Sequence, residues 1–173
     1  MMVNTFFEEK KDRLLEVARR FDALCAASSI GYTIIGGLAV YLHIDPVEPL
    51  SARLTTHVDA HIDPASLSLV ERTAAEFGFT LTPEHRLITS AQHNRVHLYF
   101  QHAGFNRPTE GVLFEGLKVA PLRELLLAKL TRNKLIDKVH VRDMIEAGMM
   151  TPELECDLDE TLRERLEWVK AHE

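Results

Sequence analysis

The sequence is poor in several features that would fix a function at once. It has two cysteines in 173 residues, Cys25 and Cys156, far apart and without a CxxC pattern. They are too few and too distant for a disulfide framework, and they read as reduced thiols of a cytoplasmic protein. No apolar run approaches the ~20 residues needed to cross a bilayer, which predicts no membrane association. The opening stretch MMVNTFFEEKKDR holds an apolar pair but no hydrophobic leader segment, so no secretory signal is expected. Internal repeats and low-complexity linkers are missing too. Positive charge is in deficit: 20 Lys and Arg stand against 26 Asp and Glu, a net charge of -6 with a pI near 5.8. That excludes a protein coated for non-specific nucleic-acid binding but leaves room for a local basic patch.

What is present is enough apolar residue, 46%, to bury one core, so a single domain over 1–173 is expected. Leu14, Val17, Ala18, Phe21, Leu24 and Cys25 recur at spacings of three and four and predict a helix over roughly 8–28. YTII, Tyr32 to Ile35, predicts a first strand that runs into Gly36-Gly37 and a short helix, LAVYLH. A proline-containing loop, IDPVEPLSA, follows. From Thr55 to Asp63 polar and apolar residues alternate, predicting a second strand with Thr55, His57, Asp59, His61 and Asp63 on one face. ASLSLVERTAAEFGF predicts an amphipathic helix closed by Gly78. FTLTP and HRLITS predict short strands, and NRVHLYFQ a clear later one with His97 and Tyr99 on the same parity. After the loop HAGFNRPTEG and the brief strand LKVA, Pro121 marks the start of a helix, LRELLLAKLTR. Two more helices follow, DKVHVRDMIEAG and DETLRERLEWVKAH. The chain thus divides into an N-terminal helix (1–30), a sheet core (31–120) and C-terminal helices (121–173). Strands interrupted by helices and followed by a helical tail give an α+β or mixed α/β class, a small mixed sheet flanked by helices.

Four features carry chemistry. A strand ending in Gly-Gly before a helix offers bare N–H groups and a positive helix end to a phosphate, although Gly-Gly is also a common tight turn. The polar parity of the second strand places His57, Asp59, His61 and Asp63 where they could ligate a metal, although a half-buried strand also turns such residues to water. His97 would face the same place if its strand pairs with the second. Finally, Lys129, Arg132, Lys134, Lys138, His140 and Arg142 concentrate positive charge, either for phosphates or as the solvated face of two helices.

Taken in chain order, these pieces resemble the minimal nucleotidyltransferase superfamily, whose pattern is GG followed by R-x-T-x-D-[IV]-D and a third Asp on a later strand. Gly36, Gly37, Arg53, Thr55, Val58 and Asp59 match it. LRELLLAKLTR resembles the family helix that carries a lysine, here Lys129. DKVHVRDMIEAG resembles the closing helix of the AbiEii-type bacterial branch, with Lys138 and Asp143. The resemblance covers most of the chain from Tyr32 onward and implies a nucleotidyltransferase-like fold. It also implies an NTP as substrate or ligand, phosphate contacts from Gly36, Gly37, Arg53 and Lys129, and catalytic residues at positions 57, 59 and 97.

The pattern departs from the family at the metal. The first Asp of the family falls on His57 and the third on His97, so only Asp59 remains of the acidic trio. Mg²⁺ wants oxygen ligands, whereas imidazole suits Zn²⁺, Ni²⁺, Cu²⁺ or iron; the candidate ions here are Zn²⁺, Ni²⁺ and Mn²⁺. Three functions follow. The first is transfer of a nucleoside monophosphate from an NTP to a hydroxyl on a protein, RNA or small molecule. The second is a catalytically inactive module that binds a nucleotide or a partner, as in a toxin–antitoxin or defence pair. The third is a metal-binding protein built on His57, Asp59 and His97. Oligomeric state is left open by the sequence.

Overall fold

The computed structural model describes residues 2–89 and 92–172. A long helix, α1 (Met2–Ala27), leads into strand β1 (Tyr32–Ile35), and helix α2 (Gly36–Ile44) follows without a break. Strand β2 spans Val58–Ile62, helix α3 Leu67–Thr73, and strands β3 to β5 are Phe79–Leu81, Arg86–Thr89 and Gln92–Tyr99. Strands β6 (Val112–Phe114) and β7 (Leu117–Val119) form a small hairpin. Helices α4 (Leu122–Arg132), α5 (Leu135–Glu146), α6 (Pro152–Cys156) and α7 (Glu160–Ala171) complete the chain. The expected strand HRLITS is β4, its last residue Ser90 lying outside the described residues.

Among the described residues the strands form one seven-stranded sheet in the order β3-β4-β5-β2-β1-β7-β6. β1 runs antiparallel to β2 and parallel to β7, and β2 runs parallel to β5. The mixed pairing and the helices around it make this an α+β fold, as the strand and helix order predicts. β2 therefore sits at the centre, between β1 and β5, and its residues are fixed by partners on both sides.

The register decides which side chains meet. Ile34 pairs with Ala60 and Val58 with Val96, and these apolar residues share one face. α1 covers that face with the stripe read from its sequence: Leu14, Val17, Phe21 and Leu24 are fully buried, and Phe21 meets Tyr32 edge to face at 5.3 Å. The opposite face carries Ile35 beside Asp59 and Asp59 beside His97. One face is thus hydrocarbon and the other holds the chemistry.

Three local expectations need correction. The second strand begins at Val58 rather than Thr55, because residues 53–57 are held by side chains instead of a ladder: Arg53 Nε donates to Asp143 Oδ1 at 2.8 Å, and Thr55 packs on Gly37. The polar parity of β2 does not face water: the Asp59 side chain is 13% exposed, and His61 is 1% exposed with the His102 ring 6.2 Å away. The helix expected after Pro64 is α3 flanked by two 3₁₀ turns, closed by Gly78 in the left-handed conformation. β6 and α6 have no counterpart in the sequence reading. Both cysteines are free, Cys25 buried and Cys156 exposed. No described helix is long and apolar enough to cross a membrane.

Candidate functional site

Gly36 ends β1 and starts α2 with a φ of +71°, a left-handed conformation that an L side chain rarely adopts. Its missing side chain matters as much as its backbone. A Cβ at this position would fall into the Asp59 carboxylate, against Oδ2 and 2.9 Å from Cγ. The glycine therefore lets the carboxylate of β2 lie against the first turn of α2, whose positive end favours an anion. Gly37 plays a different part. Its face packs on Thr55 and on His140 of α5, and it does not line the cleft described below.

The other carboxylate oxygen of Asp59 faces two imidazoles. His57 Nε2 lies 3.4 Å and His97 Nδ1 3.5 Å from Oδ1, and the two rings stack with centroids 4.4 Å apart and planes 24° from parallel. Pairing of Asp59 with His97 across β2 and β5 produces this meeting, with His57 one step before β2. The potential ligand atoms all lie within 4.8 Å of one another. Among the described residues Asp59 Oδ1 is buried without a hydrogen-bond partner, and so is His97 Nε2. Burial, and after it the neighbouring His57, push His97 below the ordinary histidine pKa. The three positions expected to gather at the centre do gather there.

Beside this cluster opens a cleft of about 660 Å³. One wall is Ile35, Gly36 and Asp59; α4 supplies Lys129 and Arg132; Tyr99 and the hairpin turn around His102 close the end. The turn is held by two backbone hydrogen bonds between His102 and Phe105, with Ala103 and Gly104 both at positive φ. Lys129 is 4% exposed and lies 3.1 Å from Asp137. Arg132 grips the same carboxylate through Nε at 2.8 Å and through a second nitrogen at 2.6 Å. Burial pushes the Asp137 carboxyl up, but the Arg132 and Lys129 charges overcome it and hold it below the carboxylate range. Burial wins on Lys129 and lowers its pKa. Two cations and one anion leave one net positive charge on this wall.

The remaining expected contact, Arg53, is committed to Asp143 and lies outside the cleft lining. Tyr99, His102 and Asp137 are site residues that the sequence reading did not single out. The one visible signal for His102 was the glycine in the loop after β5, which allows the chain to turn back over the sheet.

No family model and no curated protein matches the sequence. Among solved structures, the antibiotic-resistance factor ANT(2'')-Ia, an aminoglycoside nucleotidyltransferase, is similar with a TM-score of 0.51. The match covers 94% of this chain and 84% of that one at 9% sequence identity. The fold is nucleotidyltransferase-like. At that identity the likeness carries the architecture and not the activity.

A divalent ion is what the resemblance to the nucleotidyltransferase pattern implies. Mg²⁺ does not suit the residues present. It holds oxygen ligands in near-ideal octahedral geometry, and among these three side chains Asp59 alone offers oxygen.

Proposed function

We propose that this protein binds a nucleoside triphosphate in the cleft between Gly36 and α4, on a nucleotidyltransferase-like scaffold that no longer supports the two-Mg²⁺ transfer reaction. The observation that carries this reading is the convergence, around one cleft of about 660 Å³, of the Gly36 turn, Asp59, Lys129 and Arg132. The volume lies within the ordinary range of small-ligand sites, about 300–1,000 Å³. The residues divide the labour. Arg132 is half exposed at the cleft and carries donors suited to phosphate oxygens. Lys129 adds charge from below. The apolar lining of Ile35 and Leu127 offers a surface to the flat base.

The departure from the acidic trio supports a reading without the full transfer reaction. With histidine at positions 57 and 97, Asp59 is the one carboxylate left at the centre. The AbiEii-type likeness of α5, with Lys138 and Asp143, fits a bacterial module that recognises a nucleotide together with a protein or RNA partner. A cytoplasmic location, where nucleoside triphosphates are abundant, belongs to this reading.

Calorimetric titration of metal-free protein with ATP, and then GTP, CTP and UTP, tests the reading. Saturable binding is expected, weakened about tenfold by Arg132→Ala, the loss of one charge-assisted hydrogen bond. Absence of saturation with all four nucleotides contradicts it. Transfer of labelled AMP to any acceptor, abolished by Asp59→Asn, would restore the transferase reading.

A further inference from the structure

The His57–Asp59–His97 cluster is built oddly for a hydrogen-bonded group. A charge-assisted N–H···O⁻ bond spans about 2.7–2.9 Å, whereas both imidazole nitrogens stand 3.4 and 3.5 Å from the same Asp59 oxygen. That oxygen is buried and unbonded. Two stacked imidazoles converge on it without either satisfying it. These separations have another reading. Ligand bonds of about 2.0–2.1 Å in a tetrahedral site put neighbouring donor atoms about 3.4 Å apart. Two edges of the triangle formed by His57 Nε2, Asp59 Oδ1 and His97 Nδ1 already have that length.

We propose that His57, Asp59 and His97 hold one first-row transition-metal ion of the Zn²⁺ class, in place of the Mg²⁺ that the fold would suggest. Two imidazoles and one carboxylate form the kind of donor set that zinc takes with three protein ligands, leaving a further position for water or an exchangeable ligand. Such an ion also explains the buried Asp59 Oδ1, which would be its ligand. The backbone supplies rigidity. His97 and Asp59 are directly paired residues on adjacent central strands, and the Asp59 carboxylate is braced on its other side by Gly36. The site is reachable, since the His57 side chain is 30% exposed.

Asp59 also lines the cleft, so an ion here ties metal binding to whatever the cleft holds. This last consequence rests on the nucleotide reading, while the ion itself stands on the ligand geometry.

The test uses untagged full-length protein, stripped with a chelator and titrated with Zn²⁺ in phosphate-free buffer without nucleotide. One Zn²⁺ per chain is expected, with Mg²⁺ at least about 100-fold weaker. His57→Ala and His97→Ala should each lose binding by a similar factor, and His172→Ala should not. Because His97 is partly buried, its variant is checked for an unchanged unfolding midpoint in chelator. Independently of any variant, Zn²⁺ should raise the wild-type midpoint by mass action and shift the ring signals of His57 and His97 in NMR spectra. Mg²⁺ binding as tightly as Zn²⁺, a zinc site untouched by either histidine substitution, or no saturable zinc binding at all would overturn the proposal. ATP titration in chelator is then read separately, so loss of the metal site and loss of the nucleotide site give different results.

Discussion

Two charged clusters flank the same cleft, and they are finished differently. On the α4 side, Lys129, Arg132 and Asp137 close on one another. Asp137 is fully buried, accepts two hydrogen bonds from Arg132 and one from the Lys134 backbone N–H, and lies 3.1 Å from Lys129. On the sheet side, His57, Asp59 and His97 converge without bonding, and Asp59 Oδ1 stays unpartnered. Burial without a partner costs free energy, so an open buried cluster is expected where a ligand completes it. The first cluster is the scaffold that fixes α4 against α5. The second is the place that the proposed ion would complete.

Substitutions should separate the two roles, and the largest effect belongs to the closed cluster. Asp137→Ala leaves Lys129 buried beside Arg132 with no counter-ion and should cost about 3–5 kcal/mol of stability, measured by urea unfolding. A loss below about 1 kcal/mol would mean that the cluster does not hold the helices.

A pH effect of intermediate size comes from His140, which packs under Gly37 and faces Lys129, Arg132, Arg53 and Asp137. Burial, and then the Lys129 charge, lower its pKa to about 4 from 6.5, with Asp137 opposing. Between those two values the unfolded chain binds the proton and the folded chain does not. Stability should therefore fall as pH drops from about 6.5 to about 4, by about 3 kcal/mol at the full shift. It should be level in this respect above pH 6.5. The difference between wild type and His140→Gln across that window measures the effect, and parallel curves for the two would refute it.

Gly36→Ala should cost about 1–2 kcal/mol through the left-handed backbone, with more from the displaced Asp59. Its sharper signature is functional: moving the carboxylate should weaken Zn²⁺ at least about tenfold. The smallest stability effect belongs to the open cluster. His57→Ala should change unfolding free energy by no more than about 0.5 kcal/mol, because the ring is partly exposed and makes no strong bond. It should nevertheless weaken Zn²⁺ binding at least about 100-fold.

These contrasts also show how far the sequence could be read. The apolar stripe of α1, the YTII strand, the glycine-initiated α2 and the helix after Pro121 were legible because each depends on local periodicity or on a residue with special backbone geometry. The meeting of positions 57, 59 and 97 was legible through the resemblance to the nucleotidyltransferase pattern. Arg53 and His61 were not. Arg53 is drawn to Asp143, 90 residues away, and His61 is buried with the His102 ring 6.2 Å away. Both outcomes are set by long-range packing that alternation along one strand does not record. Asp137 escaped notice for a related reason. In sequence it is one acid in a basic run, and burial between two helices is what makes it the anchor.

The most direct measurement is an anomalous-scattering map, recorded at the zinc edge, from crystals of the chelator-stripped protein grown with Zn²⁺. One strong peak is expected within bonding distance of His57 Nε2, Asp59 Oδ1 and His97 Nδ1. Zinc found elsewhere and not among these three side chains, or no zinc peak at this position, would contradict it.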